Sequence, residues 1–389
     1  MSAGTDRHFC IRPRGVLRGA VLTLVFTGVL ATAAATGSLP RRDAAGAESP
    51  DAARTATVDR AALNRAAAAA MADGKSGKQA AEEFVSRSGD RWGAVYDKRE
   101  YAEFEQALDG TYTGVGLSAG RAAGDRVQVT RVQAGGPAER AGLRAGDRLV
   151  SVDGRPVGGL SVSEVVSLLR GDGVPGSAVA LRVERGRSAW TETLRRARLA
   201  TDPVTVRRLD DGAVLIKVAA FTKGVGARVR DAVREAPAGA GVLLDLRGNS
   251  GGLVAEAAVA ASAFLDGGLV ATYDVEGEQR AVYADGGGDT GRPLVALIDG
   301  GTMSAAELLT GALQDRGRAV TVGSRTFGKG SVQMPSALPD GSVAELTVGH
   351  YRTPAGHTVD GRGITPDLAA AEKAEERART VLSGLGGGS

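Results

Sequence analysis

The second half of the chain alternates apolar runs with stretches of helical spacing, beginning near Val204. This alternation of strands and helices is typical of an α/β domain with a mostly parallel sheet. Strands are expected over residues 213–218, 241–246 and 294–298, and helices over residues 225–235 and 253–265. The polar, glycine-rich segment 273–290 predicts an exposed loop or hairpin. Residues 200–368 are therefore expected to form one α/β domain, followed by a charged helix and a glycine-rich tail over residues 369–389.

Two other patterns precede this domain. Residues 48–111 are expected to hold a polar linker and a small helical region, with helices over 58–71, 78–87 and 98–108. From residue 112 to 199 the chain changes to short apolar runs separated by glycine turns, which predicts a small β-rich domain with helices. The fold class is therefore a multidomain α/β protein.

Residues 1–47 have the pattern of an export segment. Arg12, Arg14 and Arg18 form a basic region ahead of an apolar run, and small-residue triplets that suit cleavage follow that run. The run from Gly19 to about Gly37 also reaches the roughly 18 residues that can span a bilayer. Two alternatives remain open, a removed signal peptide and a retained membrane anchor. Both predict that the rest of the chain works outside the cytoplasm.

The amino-acid composition limits the functions that this chain can have. The chain has 48 basic and 45 acidic residues and a net charge of only +3, so nucleic acid is not an expected partner. Cys10 is the single cysteine, which excludes an intrachain disulfide framework and a cysteine-rich metal site. With His8, His350 and His357 as the only histidines, we expect no metal and no cofactor.

The most informative stretch runs from Leu294 to Gln333. Ser304 lies where a Gly-Gly turn enters a helix, so its hydroxyl can point outward and a developing anion can meet free backbone N–H groups. Lys329 follows after one helix and one strand, where the chain can return to its starting point. A lysine can act as the base for a serine when its amine is desolvated and therefore neutral. The pair predicts a serine peptidase with a Ser–Lys dyad.

Residues 112–199 resemble a PDZ domain along nearly their whole length. The signatures are Gly114-Val115-Gly116-Leu117, the run from Gly136 to Leu143, and the run from Gly146 to Gly154. In such domains the Gly-x-Gly loop holds a peptide carboxylate through backbone N–H groups, and the peptide adds as a strand. The resemblance implies that Gly114, Val115, Gly116 and Leu117 bind the C-terminus of a protein substrate.

Residues 58–368 as a whole resemble the carboxyl-terminal processing (tail-specific) serine peptidases. The resemblance is carried by the strand and glycine-rich turn Val242–Gly252, by Ser304 three residues before Glu307, and by the segment Thr326–Gln333. It implies an inserted PDZ domain in an α/β protease core. It also implies a serine endopeptidase that cleaves near protein C-termini, with the PDZ domain binding the substrate tail.

The resemblance also implies roles for single residues. Ser304 falls on the nucleophile, Lys329 on the general base and Gln333 on the residue that orients the lysine. Asp315 aligns with an aspartate implicated in some members, and a solvated acid at a helix end is the alternative. The N-terminal helical region 48–111 is a candidate surface for a homodimer.

The oxyanion donors are expected to be backbone amides. The candidates are Ala305, directly after the nucleophile, and an amide of the glycine-rich turn, with Ser250 or Gly251 as the choices. Two departures from the family pattern alter this region. Thr302-Met303 replaces the usual small pair before the nucleophile, and Ser250 stands where many members have glycine.

Three other functions fit parts of the sequence. A PDZ adaptor with an inert peptidase half is the main alternative. The run Gly248–Gly252 also satisfies Gly-x-Ser-x-Gly, so Ser250 with His350 or His357 could form a Ser-His-Asp hydrolase. The run Gly323–Gly330 approaches a P-loop, but it has Gly330 where a serine or threonine must bind magnesium.

Overall fold

The computed structural model describes residues 58–122, 126–275 and 278–386. The predicted export segment 1–47 and the start of the linker lie outside these ranges. Among the described residues, none of the helices combines the length and the apolar character that crossing a bilayer requires.

The helices are α1 (Arg60–Ala72), α2 (Gly77–Arg87), α3 (Lys98–Leu108), α4 (Pro137–Arg140), α5 (Val162–Arg170), α6 (Val225–Glu235), α7 (Val254–Ala261), α8 (Ala305–Asp315) and α9 (Ala374–Gly386). The strands of the first half are β1 (Ala94–Tyr96), β2 (Thr111–Gly114), β3 (Leu117–Ala122), β4 (Arg126–Val132), β5 (Arg148–Val152), β6 (Arg155–Pro156), β7 (Ala178–Arg185), β8 (Ser188–Arg195) and β9 (Ala197–Ala200). Those of the second half are β10 (Val204–Arg208), β11 (Val214–Val218), β12 (Val242–Asp245), β13 (Leu269–Val275), β14 (Glu278–Tyr283), β15 (Leu294–Ile298), β16 (Val320–Gly323), β17 (Ser331–Ala337), β18 (Val343–Arg352) and β19 (Leu368–Ala369).

A sheet in the order β10-β11-β12-β15-β16-β19 forms the centre of the α/β domain. Strand β10 is antiparallel to β11 and every later pair is parallel, in agreement with the predicted mostly parallel sheet. Alternate residues of β12 face opposite layers, since Leu244 packs with helices α6 to α8 and Leu243 packs with α9. The charged C-terminal segment is thus a covering layer of this sheet, because Ala378 and Leu382 of α9 are buried on it.

The inserted domain has a sheet and a core of its own. Its strands follow the order β3-β4-β5-β7-β8, with β6 paired to β5, and its core contains Val127, Leu149 and Leu181. A two-stranded ribbon joins the two ends of the insertion, because β2 pairs with β9 from Thr111↔Ala200 to Gly114↔Ala197. This ribbon connects the inserted domain to the rest of the chain.

A third sheet joins the N-terminal helical region to the α/β domain. Its long strand β18 pairs with β1, β13 and β17, and β14 extends the sheet at one edge. Ala344 and Leu346 of β18 pack against buried residues of α1 and α2, among them Leu63 and Val85. Strand β1 follows the predicted helices closely in sequence but pairs with a partner near the end of the chain, which local patterns do not indicate.

Candidate active site

Ser304 is held in an uncommon backbone conformation at the start of α8. Its φ is +55°, a value that costs a non-glycine residue about 1–3 kcal/mol and requires support from its surroundings. Part of that support comes from Thr302, which is fully buried and donates from its Oγ1 to the Leu246 carbonyl at 2.9 Å. The Met303 N–H also donates to the Asn249 carbonyl at 2.8 Å. Thr302 and Met303 therefore tie the turn to the segment that follows β12.

Glu307 connects the turn at Ser304 to the segment that carries Lys329. Its fully buried carboxylate accepts from the N–H groups of Ser304 at 2.9 Å and Lys329 at 2.8 Å through the same oxygen. The other oxygen accepts from the Gly328 N–H at 2.7 Å and the Thr326 hydroxyl at 2.5 Å. Burial raises the pKa of Glu307, while these hydrogen bonds act in the opposite direction.

Tyr351 also connects the Ser304 and Lys329 segments, in this case through their backbone carbonyl groups. Its hydroxyl lies 2.9 Å from the Ser304 carbonyl oxygen and 3.2 Å from the Lys329 carbonyl oxygen, so both accept from its single proton. The side chain is 2% exposed, and burial raises its pKa well above the usual value. Glu307 and Tyr351 together hold the main chains of Ser304 and Lys329 side by side.

Lys329 has the environment that a lysine base requires. It lines a cavity of about 810 Å³ together with Ser304, and its Nζ lies 5.1 Å from the centre of the Trp92 ring. Burial lowers the pKa of Lys329, and the acids around it, Asp90 first, partly oppose that shift. In the described part of the chain the Lys329 amine makes no hydrogen bond or ion pair. Its lone pair, once deprotonated, is therefore available to a nearby hydroxyl.

Trp92 is placed by an acid of the N-terminal region. The Asp90 carboxylate accepts from the Trp92 N–H at 3.1 Å and from the Thr347 N–H of β18 at 2.8 Å. The Trp92 ring also packs 5.6 Å from the ring of Phe327. The wall over the lysine is thus built from residues far apart in the chain.

The glycine-rich turn lies directly beside Ser304. A Cβ on Gly251 would lie 2.8 Å from the Ser304 Cβ, so only glycine fits this contact without a shift. The Gly251 N–H donates to the Asn249 Oδ1 at 2.9 Å, so it is occupied and does not serve as an oxyanion donor in this conformation. The amides of Ala305 and Ser250 stay predictions for that role.

Two predicted supporting residues have contacts other than the expected ones. Gln333 lines the cavity, but its Nε2 donates to the Ser331 Oγ at 3.0 Å and not to Lys329. Asp315 lies at the opposite end of α8 from Ser304, where its carboxylate accepts from the Ala355 N–H at 2.9 Å. Asp315 is not among the residues that line the cavity, and its side chain is only 9% exposed, so it is not the solvated acid of the alternative either. Its supporting role stays a prediction.

The predicted peptide-binding loop lines a groove on the inserted domain. Gly114, Val115, Gly116 and Leu117 form one side of a cavity of about 370 Å³, and helix α5 forms the other. Strand β3, which begins at Leu117, is at the edge of its sheet in the described part of the domain. An edge strand beside a groove can accept an added peptide strand.

The alternative sites, a Ser-His-Asp site at Ser250 and a P-loop, lack the residues or elements that they require. His350 faces Asp360 at 3.7 Å and His357 faces Asp315 at 3.5 Å, and neither histidine lines the cavity that contains Ser250. The P-loop-like run leads into strand β17, whereas a P-loop opens a helix. Over residues 58–122, 126–275 and 278–386, no three Cys, His, Asp or Glu side chains converge as metal ligands would.

Sequence reasoning missed three residues of this site: Trp92, Glu345 and Tyr351. Trp92 is one of only two tryptophans in the chain, and this rarity in a polar turn was the one available signal. Glu345 and Tyr351 lie within a strand pattern, where nothing local separates them from ordinary sheet residues.

Comparison with known proteins agrees with this architecture, a PDZ-containing α/β domain of the serine-peptidase type. The model of peptidase family S41 matches residues 213–370, and a PDZ domain model matches residues 128–185. The carboxyl-terminal-processing protease of Synechocystis sp. (strain ATCC 27184 / PCC 6803 / Kazusa) is 33% identical over 302 residues, which are 74% of this chain and 69% of that protein. The chain therefore belongs to peptidase family S41, with the carboxyl-terminal processing peptidases, as the sequence predicted. It spans about 60% of the length of several of these relatives.

Two further relatives support the assignment. The chloroplastic C-terminal processing peptidase of Tetradesmus obliquus is 38% identical over 288 residues, and the match spans 69% of this chain and 62% of that protein. The solved structure of a photosystem II D1 C-terminal processing protease is similar with a TM-score of 0.51 and 28% identity. That similarity covers 86% of this chain and 98% of the solved chain.

Proposed function

We propose that this protein is a serine endopeptidase that cleaves other proteins near their C-termini, with Ser304 as nucleophile and Lys329 as general base. The observation that carries the proposal is the double connection between the two residues. Glu307 accepts from both of their N–H groups, and Tyr351 donates to both of their carbonyls. Their side chains line one cavity, and partial burial lowers the pKa of the amine.

The chemistry follows from the lowered pKa of Lys329. The neutral amine takes the Ser304 proton, and the oxygen attacks the scissile carbonyl to form a tetrahedral oxyanion. The new ammonium then gives that proton to the leaving amine, and an acyl-enzyme remains. Water, deprotonated by the same lysine, hydrolyses the ester and restores Ser304. Donation from the Ala305 or Ser250 amide to the oxyanion would contribute roughly 2.7–4 kcal/mol per donor.

Gln333 is proposed to orient Lys329 after its amide turns away from Ser331. The loop Gly114–Leu117 is proposed to bind the substrate carboxylate, with the substrate tail added beside β3. The relatives named above are called C-terminal processing peptidases, which supports a C-terminal tail as the substrate feature. We also propose that the protein works outside the cytoplasm, secreted or anchored by its N-terminal segment. A homodimer through residues 48–111 stays a prediction.

The proposal is tested with an unstructured peptide whose C-terminus is either a free acid or an amide. We expect faster cleavage of the free acid, and no cleavage of either peptide by Ser304→Ala or Lys329→Ala. A fluorophosphonate probe should label the wild type and fail to label both variants.

Ser250→Ala is the matched control. The Ser250 Oγ is buried without a hydrogen-bond partner in the described structure, so its removal should leave labelling intact. Labelling lost in Ser250→Ala and kept in Ser304→Ala would overturn the assignment of the nucleophile. A wild type that binds tails but never labels would point to the inert PDZ adaptor.

A further inference from the structure

The cavity at Ser304 contains a second buried charge-bearing group that the proposed mechanism does not use. Glu345 of β18 is 9% exposed, and its side chain lines the cavity together with Ser304 and Lys329. Among the described residues its carboxylate makes no hydrogen bond or ion pair. The other buried carboxylate of the site, Glu307, accepts four hydrogen bonds.

The strand register accounts for the orientation of Glu345. It pairs directly with Pro335 of β17, which also lines the cavity. Directly paired residues of antiparallel strands project to the same face of a sheet. Gln333, two residues earlier on β17, lines the cavity as well, so this face of the sheet forms part of its wall. The adjacent residues Ala344 and Leu346 point to the opposite face, into the helical region.

A carboxyl group in this position is costly without a partner. Removing an ionised carboxylate from water costs several kcal/mol unless it is paired or hydrogen-bonded. Burial raises the pKa of Glu345, and the charge of Lys329 acts in the opposite direction. A general base must be neutral, and a neutral Lys329 no longer provides a positive charge that stabilises the Glu345 carboxylate. A cationic group of the substrate would provide that charge instead.

Aromatic side chains of the same cavity have the complementary chemistry. Tyr101 and Phe104 of α3 line the same cavity, with ring centres 6.0 Å apart, and Phe104 stacks on Tyr96 at 5.4 Å. The faces of aromatic rings attract cations, and the effect strengthens when the site is desolvated. Arg198, a cation that also lines the cavity, lies 4.0 Å from Asp109.

We propose that Glu345, Tyr101 and Phe104 form a specificity subsite for a cationic side chain, lysine or arginine, of the peptide being cleaved. The inference rests on the proposed peptidase function. The carboxyl group binds the charge, and the two rings pack against the aliphatic stem. A neutral side chain of the same length fills the space but leaves the acid unpaired.

The test uses peptides that differ in one residue, placed in turn at each position flanking the cleaved bond. Lysine is compared with norleucine, which keeps the stem and removes the charge, and with glutamate. At one position we expect kcat/KM for lysine to exceed that for norleucine by about tenfold, a difference of about 1.4 kcal/mol. Glu345→Gln should bring the ratio close to one, and Glu345→Lys should favour glutamate.

Two further variants separate the subsite from general effects. Glu105→Gln removes an exposed acid of the same cavity and should keep the lysine preference. Phe104→Leu keeps an apolar side chain but loses the ring, so it should lower the lysine ratio while norleucine peptides are still cleaved. This variant also provides the test if Glu345→Gln does not fold.

The results that would contradict the subsite differ from those that would contradict the proposed function. A lysine preference that survives Glu345→Gln would overturn the subsite. An equal change for all peptides, with only the pH profile displaced, would show that Glu345 acts on Lys329 and not on the substrate. Fluorophosphonate labelling tests the dyad without a substrate side chain. Normal labelling without a lysine preference overturns the subsite alone, whereas no labelling of the wild type overturns the proposed function.

Discussion

The hydroxyl of Tyr351 lies 2.9 Å from the backbone carbonyl oxygen of Ser304, although Tyr351 belongs to strand β18 of the third sheet and Ser304 precedes helix α8 of the α/β domain. The same hydroxyl reaches the Lys329 carbonyl at 3.2 Å. The Ser304 carbonyl also accepts from the Leu308 N–H of α8, whereas the Lys329 carbonyl has no other donor among the described residues. Tyr351 therefore matters most for the position of the lysine segment.

Tyr351→Phe keeps the ring and removes only this hydroxyl. We expect a loss of about 1–3 kcal/mol in the free energy of unfolding, because a carbonyl in a buried setting loses its donor. We also expect roughly a tenfold loss in kcat, since 1.36 kcal/mol in the barrier gives that factor. Denaturant unfolding and steady-state peptide cleavage measure the two effects. Tyr283→Phe, at a side chain that is 64% exposed, should change neither.

Glu307→Gln should be more damaging to activity than any other single change that leaves the dyad intact. An amide offers one acceptor oxygen where four donors converge, and its NH₂ group would face some of those donors. We expect a loss of about 3 kcal/mol in stability. Displacement of the dyad by about 1 Å should lower kcat by roughly 100-fold.

Glu256→Gln is the matched control for this variant. Glu256 also accepts from two backbone N–H groups, those of Gly224 and Gly226 at 2.8 Å each, but at the start of helix α6. We expect it to lower stability while kcat stays near the wild-type value. If both variants lose activity in proportion to stability, Glu307 has no specific role in placing the dyad.

The lowered pKa of Lys329 predicts how activity and stability depend on pH. The cause is burial, with Asp90 and the other nearby acids partly opposing it. Cleavage should increase as pH rises through the pKa of the folded protein, because the neutral amine is the active form. Lys329→Arg should be inactive at every pH, since a guanidinium remains protonated. A flat pH profile for kcat/KM, or an active arginine variant, would contradict this role.

The lowered pKa of Lys329 also predicts how the stability of the folded protein changes with pH. Between the folded pKa and the ordinary lysine value of 10.5, the unfolded chain binds more protons than the folded protein. The contribution of Lys329 to stability therefore increases with pH across that window, and its penalty is complete below the folded pKa. We expect Lys329→Met to be more stable than the wild type at low pH, with the difference shrinking as pH rises. Thermal unfolding over a pH series measures it.

Gly251→Ala and Gly248→Ala form a pair that separates backbone strain from contact with the nucleophile. Both glycines have positive φ, +96° and +71°, so alanine costs about 1–2 kcal/mol at either position. A Cβ on Gly251 would meet Ser304 at 2.8 Å, whereas one on Gly248 would have nothing within 4 Å. We expect fluorophosphonate labelling to slow strongly only in Gly251→Ala. Equal labelling rates would show that the turn can move away from Ser304.

The sequence by itself determined the features that depend on short segments. The alternation after Val204 indicated the parallel sheet, because buried strands and helices have different periods. The turn before Ser304 and the segment around Lys329 marked the two residues of the proposed dyad through local motifs. The glycine turns of residues 112–199 did the same for the PDZ domain.

Only the tertiary structure decided how the site is completed. Trp92, Glu345 and Tyr351 come close to the Lys329 segment because strand β18 pairs with both β1 and β17, which are far apart in the chain. Asp315 lies away from Ser304 because the length of helix α8 separates them. Such contacts depend on strand register and on packing between distant segments. No local pattern of apolar and polar residues predicts these contacts, because the sequence around a residue does not identify which distant residue will pack against it.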